Sequence, residues 1–229
     1  KALIEPSTSW SGRLQPLPQW ASGSGAILGM EGGTAAVLAK WRNMTVAGVP
    51  LAGIWVQDWS GERTDSFGTR LWWNWEVDLD LYPDWTGLLT NLSQATPPIR
   101  LLTYVNPNLA NNVDEKKNAR RNLWREAAAL GYLVTNATHQ PYIQSSGSDS
   151  FTFSSVDLTN SAARSWFADV IRCNMLLQGH APDGSRCDFG SGAPGVGGWM
   201  ADFGEYLPFD AVVNGSSMTD AAVAMRRGS

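Results

Sequence analysis

The sequence predicts an α/β fold, roughly the first four βα units of a (β/α)8 barrel, on three observations. Short apolar runs bounded by Gly, Pro or Asn alternate with helix-length segments, the pattern of strand-helix-strand units that build a parallel sheet. Four of these runs end in polar groups, at Glu31, at Gln57 with Asp58, at Asn106 and at Asp202. Polar groups at one rim above apolar residues are how the C-terminal face of a barrel is written. The rival architecture is an open doubly wound sheet. No Gly-X-Gly-X-X-Gly follows any of the four runs, so a dinucleotide site of that kind has no support.

Residues 1–24, rich in Ser, Gly, Pro and Gln, read as an entry loop or the end of a preceding domain, and 25–229 as the barrel half. The run at 25–30 is the first strand. Thr34 is positioned to cap a helix from 35 to about 46, with Val37, Leu38 and Trp41 on one face and Gly48 and Pro50 ending it. The run at 51–56 is the second strand. Residues 61–86 then read as a long loop with an Arg beside Trp72, Trp73 and Trp75. A loop of that length inside a βα unit is more often functional than idle. The structural alternative is Arg packed on Trp.

Leucine spacing predicts a helix over 85–95, and 100–105 is the third strand. A charged helix is expected over 113–130, with Lys116, Lys117, Arg120 and Arg121 as a solvated face. The segment 132–158 suggests a hairpin-like excursion. A helix over 161–178 follows with Asn160 as its cap, and Asp157 reads as structural. Last comes Trp199-Met200-Ala201, a buried strand closed by Asp202, with Glu205 three residues on. Taken alone, Asp202 is either a turn cap or a site carboxylate. The three earlier strand-end polar groups favour the site.

Composition narrows the function classes. With 43% hydrophobic and 17% charged residues the chain is globular rather than disordered. A formal charge of −4 with scattered Lys and Arg argues against nucleic acid as a partner. No run approaches the 18 or so apolar residues of a membrane span. The 12 tryptophans suit the C–H faces of a sugar ring as well as they suit a core. Four Asn-X-Ser/Thr sequons, at Asn43, Asn91, Asn136 and Asn214, point to the secretory pathway, extracellular or lysosomal. Cys173 and Cys187 flank a Gly- and Pro-containing loop and are either a disulfide or two buried thiols. His180 and the cysteines match no zinc spacing, so no metal is expected.

Four motifs then carry a resemblance: residues 53–61, Gly-Ile-Trp-Val-Gln-Asp-Trp-Ser-Gly; 104–107, Tyr-Val-Asn-Pro; 156–160, Val-Asp-Leu-Thr-Asn; and 198–208, Gly-Trp-Met-Ala-Asp-Phe-Gly-Glu-Tyr-Leu-Pro. In order and spacing they resemble the retaining α-glycosidases of glycoside hydrolase family 31, and within it the sulfoquinovosidase branch, over about Pro18 to Asn214. The last motif is specific, since most of the family writes Asp-Met-Asn-Glu where this chain has Asp202-Phe203-Gly204-Glu205.

The resemblance implies a carbohydrate substrate, an α-sulfoquinovoside, and makes Asp202 the nucleophile of a double displacement. It makes Glu205 a supporting neighbour, because the family draws its acid/base from a later strand. It places the sulfonate on Arg70 and Trp73 and a sugar contact on Gln57. At Glu31 the best-known relatives carry Gln. No cofactor is implied, since the reaction needs only carboxylates and water. The later strands have no counterpart in these residues, so the chain resembles a fragment, inactive by itself. An α-glucosidase or α-galactosidase of the same family, or a non-catalytic carbohydrate-binding protein, are the alternatives, and the sequence says nothing of oligomeric state.

Overall fold

The computed structural model describes residues 16–23, 25–66, 68–145, 151–177, 194–204, 207–214 and 216–217. A short helix α1 (Gln19–Gly23) leads into β1 (Ala26–Met30), α2 (Gly33–Val46) and β2 (Leu51–Val56). After a 3-10 turn at Gln57–Ser60 come β3 (Glu62–Asp65), β4 (Gly68–Leu71), α3 (Trp85–Ser93), β5 (Arg100–Val105) and β6 (Asn108–Ala110). The rest is α4 (Leu123–Ala129), β7 (Gln144–Ser145), β8 (Thr152–Ser155), α5 (Ser161–Asn174), β9 (Gly198–Ala201), β10 (Val212–Val213) and β11 (Ser216–Ser217).

Four strands form one parallel sheet in the order β1-β2-β5-β9. Each crossover carries a helix, and each strand is added beside the last without a reversal. A doubly wound sheet reverses its order at a switch point, whereas an arc of a barrel does not. The sheet is therefore four strands of a barrel.

Register decides what the arc presents. Gly29, Trp55, Leu102 and Gly198 lie in one row across the strands and so share a face. The glycine makes room for the indole: a Cβ on Gly29 would stand 3.0 Å from Trp55 Cε3. The opposite face carries Ile54, Val56, Leu101 and Val105, buried with Val37, Leu88, Leu92 and Val170 in the main core. Two residues beyond the row, the alternation brings Glu31, Gln57, Tyr104 and Met200 onto the first face at the C-terminal ends of the strands.

Several local expectations are revised. Helix α2 starts at Gly33, not after Thr34: its cap is Gly32 in a left-handed conformation, and Thr34 N donates to Leu81 O at 3.1 Å. The expected loop after β2 contains an antiparallel hairpin, β3 with β4, pairing Arg63 with Arg70. The expected helix over 113–130 is a 3-10 turn at Val113–Glu115 followed by α4 alone. Arg120 N and Nε both bond Glu76, and the Asn122 side chain caps α4 through Arg125 N, so the backbone between is committed elsewhere. Lys116 leaves the expected solvated face, buried in an ion pair with Asp78 at 3.2 Å, while Lys117 and Arg120 are exposed. The hairpin-like excursion becomes a three-stranded sheet in the order β6-β8-β7. Strand β9 pairs only with β5 among the described residues, and Trp199 and Met200 are exposed rather than buried.

Candidate active site

The strand ends converge on a cleft of about 440 Å³ lined by Glu31, Gln57, Glu62, Arg70, Trp73, Tyr104, Asp202 and Phe203, among others. Five residues singled out from sequence, Glu31, Gln57, Arg70, Trp73 and Asp202, thus meet in one cleft. Glu205 lies outside the described residues.

Asp202 is fixed from both sides. Its backbone N–H donates to Val105 O at 3.0 Å, extending the ladder one residue past β9. Its Oδ2 accepts from the Tyr104 hydroxyl at 2.9 Å. The chain then turns away through two left-handed residues, Phe203 at φ 56° and Gly204 at φ 116°. A non-glycine residue held there stores strain of about 1–3 kcal/mol, of the kind that collects where a side chain must be presented at an angle.

The wall opposite is built by the hairpin and the loop after it. Arg70 is on β4, across from Arg63, whose guanidinium sits 3.7 Å from the ring centre of Phe151 and 5.6 Å from that of Trp72. The Arg-on-aromatic packing is therefore real, but Arg63 provides it and Arg70 lines the cleft. Trp73 stands edge-on to Phe151 and Phe153, at 5.0 and 4.9 Å, and meets Phe203 at 5.7 Å. Its loop is tied carbonyl by carbonyl. Trp72 O accepts from Ser60 Oγ at 2.6 Å, Trp73 O from Ala110 N at 3.0 Å, and Trp75 O from Asn174 Nδ2 at 2.7 Å.

The Gln57-Asp58 pair divides. Gln57 lines the cleft, while Asp58 is buried and accepts from Gly32 N at 2.7 Å and from the Tyr82 hydroxyl. Burial, and then the bond to Asp58, push the Tyr82 phenol far above its ordinary value, so it stays a neutral donor.

Sequence reasoning missed Glu62, Tyr104, Phe151 and Phe203 as cleft residues. Burial pushes the Glu62 carboxyl up, and the charges of Glu31 and Asp58 push it further. Tyr104 had a signal, its place two residues before a strand-end Asn, which the alternation puts on the same face. Phe151 had none, because it arrives from a distant sheet. Among the described residues no cluster of three His, Cys, Asp or Glu could hold a metal ion. Cys173 is disulfide-bonded, and Cys187 lies outside the described residues, as does His180.

The family model for the TIM-barrel domain of glycosyl hydrolases family 31 matches residues 15–226. The chain belongs to glycosyl hydrolase family 31. It is 39% identical over 213 residues to the sulfoquinovosidase of Escherichia coli strain K12, covering 93% of this chain and 27% of that protein. It is 38% identical over 200 residues to the sulfoquinovosidase of Agrobacterium fabrum, covering 87% of this chain and 26% of the relative. A solved family 31 sulfoquinovosidase from E. rectale, in complex with an aza-sugar inhibitor, superposes with a TM-score of 0.76 at 35% identity, over 94% of this chain and 28% of its own. The family 31 barrel arc here thus spans about a quarter of the length of the relatives it matches. No helix among the described residues is long and apolar enough to cross a membrane.

Proposed function

We propose that the protein carrying this chain is a retaining α-glycosidase of the sulfoquinovosidase type. The observation that carries the reading is the single cleft in which a strand-end carboxylate, Asp202, meets a cation, Arg70, and an indole, Trp73, brought from separate elements. The kinship with two sulfoquinovosidases at 38–39% identity supports the choice of sugar.

In this reading Asp202 attacks the anomeric carbon and forms a glycosyl-enzyme that water then hydrolyses. A retaining enzyme needs a second carboxyl about 5–5.5 Å away as acid/base. By the family resemblance it comes from a strand beyond the four described, with Glu205 as a neighbour of the nucleophile rather than its partner. Arg70 offers a planar fork of donors to a multi-oxygen anion. Gln57, Glu31 and Glu62 offer hydrogen bonds to sugar hydroxyls. Glu31 keeps the acceptor of the Gln found in relatives and adds a charge, so hydroxyl recognition survives the change.

The test is the complete protein on paired substrates, an aryl α-sulfoquinovoside and the matching aryl α-glucoside. The sulfonated substrate is expected to be preferred, and Arg70→Ala to lower kcat/KM on it by about 100-fold or more, the worth of a charge-assisted bidentate contact, while the glucoside rate holds. Equal loss on both substrates, or an unchanged preference, would leave the α-glucosidase or α-galactosidase reading in its place. No turnover of either would favour a carbohydrate-binding protein.

A further inference from the structure

The hydrogen bond on Asp202 has a direction, and the residues behind it fix that direction. A backbone N–H can only donate, and that of Asn108 lies 2.9 Å from Asn106 Oδ1, which identifies the oxygen end of that amide. The other end, Nδ2, therefore donates to the Tyr104 hydroxyl oxygen at 3.3 Å. With its oxygen accepting from Asn106, Tyr104 sends its proton to Asp202 Oδ2. Asn108 is itself held: its carbonyl accepts from Trp75 Nε1 at 2.9 Å and its Oδ1 from Ser155 Oγ at 2.7 Å. Tyr104, Asn106 and Asn108 are all buried, so bulk water does not compete for the bonds among them, whereas Asp202 itself is exposed to the cleft.

We propose that Tyr104, oriented by Asn106, is a positioning residue for the nucleophile: it engages Oδ2, assigns bond formation to Oδ1, and eases the departure of the carboxylate from the glycosyl-enzyme. The inference rests on Asp202 as nucleophile. In the first step the Oδ1–C1 bond forms, the bond from C1 to the leaving oxygen breaks, and the general acid protonates that oxygen. In the second, water oxygen bonds to C1, the electron pair of the C1–Oδ1 bond returns to Asp202, and a water proton passes to the acid/base. Tyr104 keeps its proton throughout.

Its effect on the two steps is unequal. A carboxylate accepts a stronger hydrogen bond than an ester carbonyl does. The Tyr104 bond therefore weakens as the ester forms and strengthens as the carboxylate leaves. Losing it slows the second step while sparing the first.

The complete protein is tested on whichever aryl α-glycoside the wild type turns over best, so that the identity of the sugar does not enter. For Tyr104→Phe, kcat is expected to fall about 10-fold, within the worth of a hydrogen bond to a charged group. KM is expected to fall with it, leaving kcat/KM nearly unchanged. Enzyme trapped with a 5-fluoro-α-glycosyl fluoride is expected to reactivate about 10-fold more slowly than wild type. Asn106→Asp supplies a carboxylate that captures the tyrosine proton, and is expected to give the same signature with the phenol in place. The double variant is then no worse than either single one. A fall in kcat/KM with unchanged KM and unchanged reactivation marks a merely structural role and overturns the inference, as do unaltered kinetics in both variants. Peptide mass separates the two readings. An adduct on a residue other than Asp202 sinks the nucleophile assignment and this inference with it, whereas an adduct on Asp202 with unaltered reactivation sinks this inference alone.

Discussion

Neighbouring residues at one strand end, Gln57 and Asp58, go to opposite fates, and the difference is set by backbone direction. The 3-10 turn at Gln57–Ser60 keeps Gln57 on the cleft side and sends Asp58 inward, where it joins two chain segments by accepting from Gly32 N and Tyr82. Gly32 follows Glu31 directly, so the location of one cleft carboxyl depends on a buried one. Replacing Asp58 by Ala leaves the buried Tyr82 phenol without this partner, at about 1–3 kcal/mol, and frees the part-buried Gly32 amide at a smaller cost. A loss of about 2–4 kcal/mol in urea unfolding of the complete protein is expected for Asp58→Ala, and a smaller one for Tyr82→Phe. Equal and negligible effects in the two variants would show that the tie carries no stability.

The segment between β6 and α4 shows what sequence periodicity can and cannot deliver. The parallel strands were legible because apolar runs bounded by Gly and Pro have one economical solution, and the α5 start was legible because Asn160 accepts from Ala162 N and Ala163 N as its position suggests. The charges at 116–121 fit a helical spacing equally well, but the partners of Lys116 and Arg120, which are Asp78 and Glu76, lie in another loop and leave no local trace, while Arg121 pairs nearby with Glu126. In the site the same rule holds: Asp202 and Gln57 stand in recognisable motifs and Arg70 in the Trp-rich loop, whereas Glu62 and Phe151 are brought in by the hairpin and by the segment entering β8. The buried network makes its own prediction. Burial alone would raise the Asp78 carboxyl, but Lys116, then the Asn118 amide and Leu81 N–H, outweigh it and hold it below the ordinary value. Its folded value being lowered, its contribution is complete above the ordinary aspartate value of about 3.9 and is lost as pH falls through the folded value. Lys116→Met leaves the buried carboxylate uncompensated, at a cost of about 3 kcal/mol at pH 7. That deficit is expected to shrink in urea titrations below about pH 4, as Asp78 takes a proton in the variant first. A deficit that stays constant with pH would mean that packing, not charge, is what Lys116 supplies.

At the scale of the molecule, the cleft exists only because four strands add in sequence order. Glu31, Gln57, Tyr104 and Asp202 come one from the end of each, and no two of them share a strand. Such a site is as precise as the curvature of the sheet, and that curvature depends on what pairs with its edges. Among the described strands β1 pairs only with β2 and β9 only with β5. The face that would look into a barrel leaves Ile27 44% and Met200 45% exposed, and Trp199 is 39% exposed on the other side of β9. Unpaired strand edges beside exposed apolar residues are templates for pairing with another chain. Expressed by itself, the 229-residue chain is therefore expected to self-associate at micromolar concentration by light scattering, to bind a hydrophobic dye, and to turn over no aryl α-glycoside. A protein in which further strands of a family 31 barrel pair with both edges is expected to show neither self-association through them nor dye binding. A monodisperse, dye-silent, active 229-residue chain would show that four strands suffice to hold the cleft, and that the edges of β1 and β9 are tolerated as they stand.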